Sequence, residues 1–165
     1  MDLGAAGLVT GKTLGIDATT LEANAALRSI VRRDTGETYE AFLTELAHAS
    51  GIETPTRADL ARLDRKRRKK GSNQEWTHPY DPDARITKMK DGRTHLAHKA
   101  EHAVDLASGA LVALTLQPAD AGDTTTIRVT LKEARKALKT VGQTGVSELV
   151  ADKGYHSDEV LKHVQ

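Results

Sequence analysis

The sequence predicts an α/β fold in which helices flank a mixed sheet, and three observations carry the prediction. Residues 94–105 alternate with a period of two and lead through a turn-like stretch into apolar residues 110–117, which predicts a hairpin with a buried second strand. Apolar residues recur at steps of four and three from Ile127 to Val141, which predicts an amphipathic helix behind an Asp123-Thr124 cap. The apolar run 146–151 then fits a buried parallel strand.

The N-terminal half supplies the first strand and then an inserted segment. Thr13 to Thr19 alternates apolar with small or polar residues and predicts a short strand that ends at Asp17. Residues about 21 to 90 read as an insertion after this strand. Within it, apolar residues at helical spacing predict a helix from Thr38 to Ser50, and a second helix is predicted after Pro55.

The second helix of the insertion leads into a basic run. Thr56 with Asp59 resembles a capping pair at its start, and consecutive cations follow at Arg65, Lys66, Arg67, Arg68, Lys69 and Lys70. This run can grip DNA phosphates, each contact releasing counterions, or it can be the solvated end of a helix. Residues 71–84 predict an irregular loop, in which Trp76 and Tyr80 either stack on bases or anchor the loop to the core.

The composition fits one globular domain over residues 1–165 that does not depend on thiol chemistry. Hydrophobic residues make up 38% and charged residues 28%, and the absence of cysteine excludes disulfides, thiolate metal sites and cysteine nucleophiles. A reducing compartment, with the cytoplasm as the default, is therefore expected. There is no targeting pattern and no membrane-length apolar stretch. Because the net charge is only +1, any nucleic-acid binding has to come from local clusters of charge.

Two aspartates, Asp17 and Asp152, stand at the ends of predicted parallel strands. Each alone is more typical of a turn or a helix cap, and residues 152–155 read as a turn with Gly154 at positive φ. In an open sheet, however, the carboxyl ends of neighbouring parallel strands converge on one crevice. Carboxylates held there can bind a pair of divalent cations that act on a phosphodiester, and hard oxygen ligands favour Mg²⁺ or Mn²⁺.

Three histidines in the predicted hairpin do not predict a shared zinc site. On a strand, His95 and His98 point to opposite faces, while His98 and His102 share a face but lie about 13 Å apart at ~3.3 Å per residue. They are more simply interpreted as polar strand positions.

The two acidic segments and the residues between them resemble one protein family as a set. Residues 15–25, with Asp17, closely resemble the first-aspartate motif of bacterial insertion-sequence transposases of the DDE class, and residues 150–157, with Asp152, resemble their second-aspartate motif. Further segments resemble the second and third strands of the family and the entry to its first core helix: residues 98–105, 108–109 and 118–123. The likeness runs from about Thr13 to Ser157.

This resemblance implies a ribonuclease H-like fold and a reaction of DNA strand cleavage and transfer at transposon ends. It implies that Asp17 and Asp152 are ligands to Mg²⁺ or Mn²⁺, and it allows Lys99 and His102 to face DNA or the acidic site. Lys153, next to Asp152, either contacts phosphate or is a surface charge.

The third metal ligand of the family, a glutamate on a later helix, has no candidate in this sequence. Glu159 is the one glutamate that follows Asp152, and it lies on the wrong helix. We therefore expect residues 1–165 to be an incomplete catalytic domain that binds DNA and Mg²⁺ in its intact parent but is weak or inactive alone. The alternative is a non-catalytic remnant that binds DNA or forms a homo-oligomer with intact transposase, and a third possibility is a chain that does not fold stably.

Overall fold

Residues 7–68 and 71–164 are described by the computed structural model, and the chain divides into two units. Unit one comprises Met1–Leu21 and His98–Gln165, and unit two comprises Glu22–Ala97. Unit two begins at Glu22, close to the start of the predicted insertion at about residue 21. It extends past the predicted end at about residue 90, into the strand that begins at Thr94.

Seven strands and four helices form the described structure, together with two short 3-10 helices. In chain order the strands are β1 (Thr13–Glu22), β2 (Val31–Arg32), β3 (Trp76–Thr77), β4 (Arg85–Lys88), β5 (Thr94–Asp105), β6 (Ala110–Pro118) and β7 (Glu148–Ala151). The helices are α1 (Tyr39–Ala49), α2 (Arg57–Lys66), α3 (Asp123–Thr140) and α4 (Asp158–Val164). The 3-10 helices are Leu27–Ser29 and Lys153–Tyr155.

The sheet of unit one is mixed, with strand order β6-β5-β1-β7. β5 and β6 form the predicted antiparallel hairpin, and β7 runs parallel to β1 as predicted. The prediction that the first strand ends at Asp17 is wrong, because β1 continues to Glu22. β5 borders β1 on the side away from β7, and this neighbour keeps β1 extended after β7 has ended.

The core of unit one lies between this sheet and α3. The buried residues of α3 recur at the predicted steps of four and three, as Ile127, Leu131, Ala134 and Leu138. They pack against Leu14 and Ile16 of β1. The predicted Asp123-Thr124 cap is wrong: the N-cap is Gly122 and makes no side-chain hydrogen bond, while Asp123 lies in the first turn.

Two strands of unit one are more exposed than predicted. In β6, Leu114 and Leu116 are 60% and 70% exposed, because they alternate with Thr115, whose hydroxyl points toward α3. In β7, Val150 is 47% exposed. The sequence shows that these strands are apolar, but it does not show that α3 covers one face of the sheet only.

Unit two is built on α1 and α2, and both predicted helices are confirmed. Thr38 caps α1 through its side chain, and Thr56 with Asp59 forms a capping box on α2. The apolar stripe of α2 is narrow, but its Leu60 is buried against Leu43 and Ala47 of α1.

The predicted irregular loop of unit two contains a strand. β3 pairs antiparallel with β2 through Val31 with Thr77 and Arg32 with Trp76. β4 pairs with the first four residues of β5, from Thr94 to Ala97.

No helix in the described part of the chain has the length and apolar character needed to cross a membrane.

Candidate metal-binding site

Asp17 and Asp152 occupy neighbouring positions on two parallel strands. The ladder between β1 and β7 ends with Ile16 opposite Ala151, and each aspartate is the next residue of its chain. The backbone at Asp152 is extended, with φ −63° and ψ 157°, so the course of β7 continues for one more residue. Since paired strands lie about 4.8 Å apart, the two aspartates are cross-strand neighbours.

Both aspartates belong to the face of the sheet opposite α3. Along β1, the buried residues Leu14 and Ile16 alternate with exposed Asp17. Along β7, Leu149 packs against the core and Asp152, three residues later, is exposed. Because side chains alternate along a strand, the two acids project from the same face.

His102 lies on the other side of Asp17. The backbone N–H of Leu106 donates to the carbonyl of Thr13 at 3.0 Å, and β5 borders β1. Because β5 and β1 are antiparallel, moving four residues back along β5 from Leu106 and four residues forward along β1 from Thr13 places His102 opposite Asp17. Three polar residues therefore cross the sheet in a row on β5, β1 and on the continuation of β7.

The donor set of this row fits a hard divalent cation in part. Two exposed carboxylates side by side supply oxygen ligands of the kind Mg²⁺ and Mn²⁺ prefer. One oxygen, Asp17 Oδ1, also accepts from the N–H of Ala18 at 2.8 Å. Within residues 7–68 and 71–162, no group of three or more His, Asp or Glu side chains is arranged to hold a metal ion.

The segment after Asp152 differs from the predicted turn. Residues Lys153–Tyr155 form a 3-10 helix, and Gly154 is not at positive φ. A side chain at this position would meet Asp123, because a Cβ on Gly154 would lie 2.9 Å from Oδ2 of Asp123. Lys153 and His156 are both exposed, and Tyr155 is buried.

Lys99 does not fit the predicted contact with DNA. It is 6% exposed, its Nζ lies 2.5 Å from Asp123 Oδ1, and it donates to the carbonyl of Ala121 at 2.9 Å. Side chains alternate along β5, so Lys99 points toward α3 while His102 points toward the acid pair. The sequence places both residues on one strand but does not reveal which face of that strand is covered.

The basic run is not a uniform cationic surface. Arg67 is inserted among aromatic rings, with its Cζ 4.8 Å from the Phe42 ring centroid and its Nη1 3.1 Å from Asp64 Oδ1. Arg65, Lys66 and Arg68 are exposed. The predicted contributions of Lys69 and Lys70 lie outside the described residues.

The two aromatic residues of the predicted loop have opposite environments. Trp76 is 3% exposed and packs edge-on against Tyr39 and Phe42, so it anchors the core of unit two. Tyr80 is 92% exposed. His95 Nδ1 lies 2.6 Å from Glu22 Oε1.

Sequence reasoning missed a basic cavity in unit two. The cavity has a volume of about 540 Å³, its wall includes Tyr39, Leu43 and Leu60, and Arg28, Arg57 and Arg65 contribute to its lining. Two acids, Glu40 and Asp64, also line it. Arg28 and Arg57 carry no sequence signal of their own, because they come from separate elements that only the fold brings together.

The strand order β6-β5-β1-β7, with three antiparallel strands followed by a helix and a parallel strand, is that of a ribonuclease H-like fold. A family model described as the transposase DDE domain matches residues 16–165, and the chain belongs to this family. Neither a curated protein nor a solved structure matches the chain.

Proposed function

We propose that Asp17 and Asp152 bind Mg²⁺ or Mn²⁺ and that this centre serves the cleavage and transfer of DNA strands at transposon ends. The observation that supports the proposal most is the register of β1 and β7, in which the two acids follow the last paired residues, Ile16 and Ala151. Membership in the transposase DDE domain family supports this reaction class for the pair.

In this mechanism the protein would bind the divalent cations and orient the DNA. Bound divalent cations would activate the attacking oxygen and stabilise the leaving oxygen of the phosphodiester. Asp17, fixed in the middle of the sheet, and Asp152, on the adjoining segment, would supply the carboxylate ligands. His102 and Lys153, which flank this pair, would contact the phosphate backbone.

We propose that unit two contributes DNA affinity through its exposed cations. Arg65, Lys66 and Arg68 are exposed, and Arg28 and Arg57 line the same basic cavity as Arg65. Each phosphate contact releases counterions, so the DNA affinity should fall as salt is added. Arg67 is excluded from this set because it is packed against Phe42.

A third acidic ligand would be needed for full activity. Two carboxylates offset only part of the charge of two divalent cations, and no third acid stands beside them among the described residues. The 165-residue chain should therefore cleave DNA slowly at most. The alternative function is binding of DNA without catalysis, which the basic residues of unit two would support independently of the acid pair.

The test is nicking of supercoiled plasmid DNA in Mg²⁺ or Mn²⁺, with Asp83→Asn as the control for loss of an exposed aspartate. We expect slow nicking that is lost in Asp17→Asn and in Asp152→Asn and kept in the control. Nicking that survives both site substitutions would contradict the catalytic proposal, and rapid nicking would show that a third acid is not required. DNA binding that withstands chelator and Asp152→Asn, without any nicking, would favour the non-catalytic alternative.

A further inference from the structure

The position of Asp152 depends on the segment that follows it, because β7 leaves the ladder one residue earlier, at Ala151. The carbonyl of Asp152 accepts from the N–H of Tyr155 at 3.0 Å, which closes the 3-10 helix. Tyr155 is 3% exposed and belongs to the same buried cluster as Ile127 and Leu131 of α3. Asp152 is thus connected to the core through Tyr155.

The side chain of Asp123 also supports the segment Lys153–Tyr155. Its Oδ2 lies where a Cβ on Gly154 would come within 2.9 Å, so backbone and carboxylate are in close contact. Its Oδ1 is 2.5 Å from Nζ of Lys99, and Lys99 is also fixed by the carbonyl of Ala121 at 2.9 Å. The carboxylate that touches the Asp152 segment is therefore held in place from β5.

A buried acid lies two residues along β5 from Lys99. Glu101 is fully buried and accepts from the hydroxyls of Thr126, at 2.6 Å, and Thr130. Burial, followed by the negative charge of Glu101, raises the pKa of the Tyr155 hydroxyl above its usual value, and Asp123 and Asp17 add to the effect. The buried hydroxyl of Tyr155 has no hydrogen-bond partner of normal geometry within the described residues.

Such a network is not explained by stability alone. An ion pair such as Lys99 with Asp123, in which the lysine is buried and the carboxylate is partly exposed, contributes little net free energy of folding, because desolvation of the lysine offsets the attraction between the charges. An apolar pair of similar volume would serve the core as well. The contact between Asp123 and Gly154 gives the pair of Lys99 and Asp123 a different role, which is to fix the position of the backbone segment that carries Asp152.

We propose that Lys99 and Asp123 are positioning residues, which hold the 3-10 helix Lys153–Tyr155 so that Asp152 stays beside Asp17. The proposal deepens the proposed function and rests on it, since the purpose of the network is the geometry of the acid pair. It also gives Lys99 a role in place of the predicted contact with DNA.

The test compares two glycine substitutions in the full chain, with Mn²⁺ alone as the probe. Gly154→Ala would push the segment away from Asp123, and since disturbing the support of a ligand costs about 10- to 100-fold in metal affinity, we expect at least a tenfold loss. Gly145→Ala is the matched control, because a Cβ there meets no atom within 4 Å and its φ is not positive. Equal Mn²⁺ affinity in the two variants would overturn the proposal.

A double substitution tests the cause of that loss. Asp123→Ala removes the oxygen that Gly154→Ala would meet, so adding Gly154→Ala to Asp123→Ala should change the Mn²⁺ affinity less than about twofold, because contacting residues are not additive. An unchanged tenfold cost in the Asp123→Ala background would show that the effect of Gly154 does not pass through Asp123, and the proposal would fall.

A measurement without metal separates this inference from the proposed function. Lys99→Met should speed hydrogen exchange of the Tyr155 amide, which donates to Asp152, by at least about tenfold, because its local opening becomes easier. If wild type binds no Mn²⁺ but the exchange rate rises, the proposed function fails and the structural support stands. If Asp152→Asn abolishes Mn²⁺ binding and Lys99→Met changes neither quantity, the positioning role alone is contradicted.

Discussion

The two units treat buried polar groups differently. In unit one, Lys99, Glu101 and Asp105 are all at most 6% exposed, and each is partnered with residues far away in the sequence. In unit two, His78 is the one buried polar or charged residue among those described, and the core is formed by residues such as Ile30 and Trp76. Unit one thus adds specific buried polar contacts to its apolar core, whereas unit two relies on apolar and aromatic packing.

The difference shows which partners of a charged residue can be predicted from the sequence and which depend on the fold. The ion pairs of α2, Asp59 with Arg62 and Asp64 with Arg67, join residues three positions apart and follow from helical spacing. Contacts such as Lys99 with Asp123 depend on which strand lies beneath which helix. We expect substitutions of the long-range partners in unit one to cost more than substitutions of the local partners in unit two.

The largest effect is expected at Asp105. Burial opposes its ionisation, but hydrogen bonds from the hydroxyl of Ser108, at 2.6 Å, and from the N–H groups of Thr10 and Gly11 outweigh burial and lower its pKa. Asp105→Asn places an amide donor among these donors, so the free energy of unfolding at pH 7 should fall by about 1.5–3 kcal/mol. Urea denaturation measures this difference.

The same variant has a defined pH dependence. A lowered folded-state pKa stabilises the protein above the usual aspartate pKa of 3.8, and this contribution is lost as the pH falls from there through the folded value. The stability difference between wild type and Asp105→Asn should therefore be constant near neutral pH and shrink below about pH 4. A difference that grows on acidification would contradict the assignment.

A smaller effect is expected at Arg67 in unit two. Its guanidinium stacks on Phe42 at 4.8 Å and donates to Tyr39 Oη at 3.0 Å, so Arg67→Ala should lower the free energy of unfolding by about 1–2 kcal/mol. Burial, followed by the hydrogen bond to Asp64, raises the pKa of Tyr39 to about 12, and Arg67 opposes the rise. The titration of Tyr39, followed by ultraviolet absorption, should therefore move further upward in the variant.

The control for Arg67 is its neighbour in the basic run. Arg68 is exposed, so Arg68→Ala should change stability by less than about 0.5 kcal/mol, while reducing the salt dependence of DNA binding by about one phosphate contact. If Arg67→Ala and Arg68→Ala had equal effects on both quantities, the distinction between packed and exposed cations in this run would be wrong.

Much of the fold could be predicted because it follows from local sequence patterns, namely hydrophobic periodicity and helix-capping residues. Periodicity placed α1, α3 and the hairpin of β5 with β6, and the Thr56 capping pair placed α2. The same patterns missed the extension of β1 to Glu22 and the pairing of β2 with β3, since those depend on neighbouring strands that a local window does not contain.

The candidate site was only partly predictable for the same reason. Asp17 and Asp152 were found through their motifs, and the strand register then places them side by side. The roles proposed for Lys99 and Asp123 could not be predicted, because burial and long-range pairing decide them. The prediction of positive φ at Gly154 was wrong, and the feature that the structure shows there is the close approach of Asp123 Oδ2.

The central claim, that Asp17 and Asp152 share divalent ions, is tested most directly by Mn²⁺ titration of the full chain, followed by electron paramagnetic resonance. Because losing the support of a ligand already costs about 10- to 100-fold in affinity, replacing a ligand itself should cost at least tenfold. We predict that loss in Asp17→Asn and equally in Asp152→Asn, with Asp83→Asn unchanged. Wild-type affinity in either of the first two variants would contradict the account.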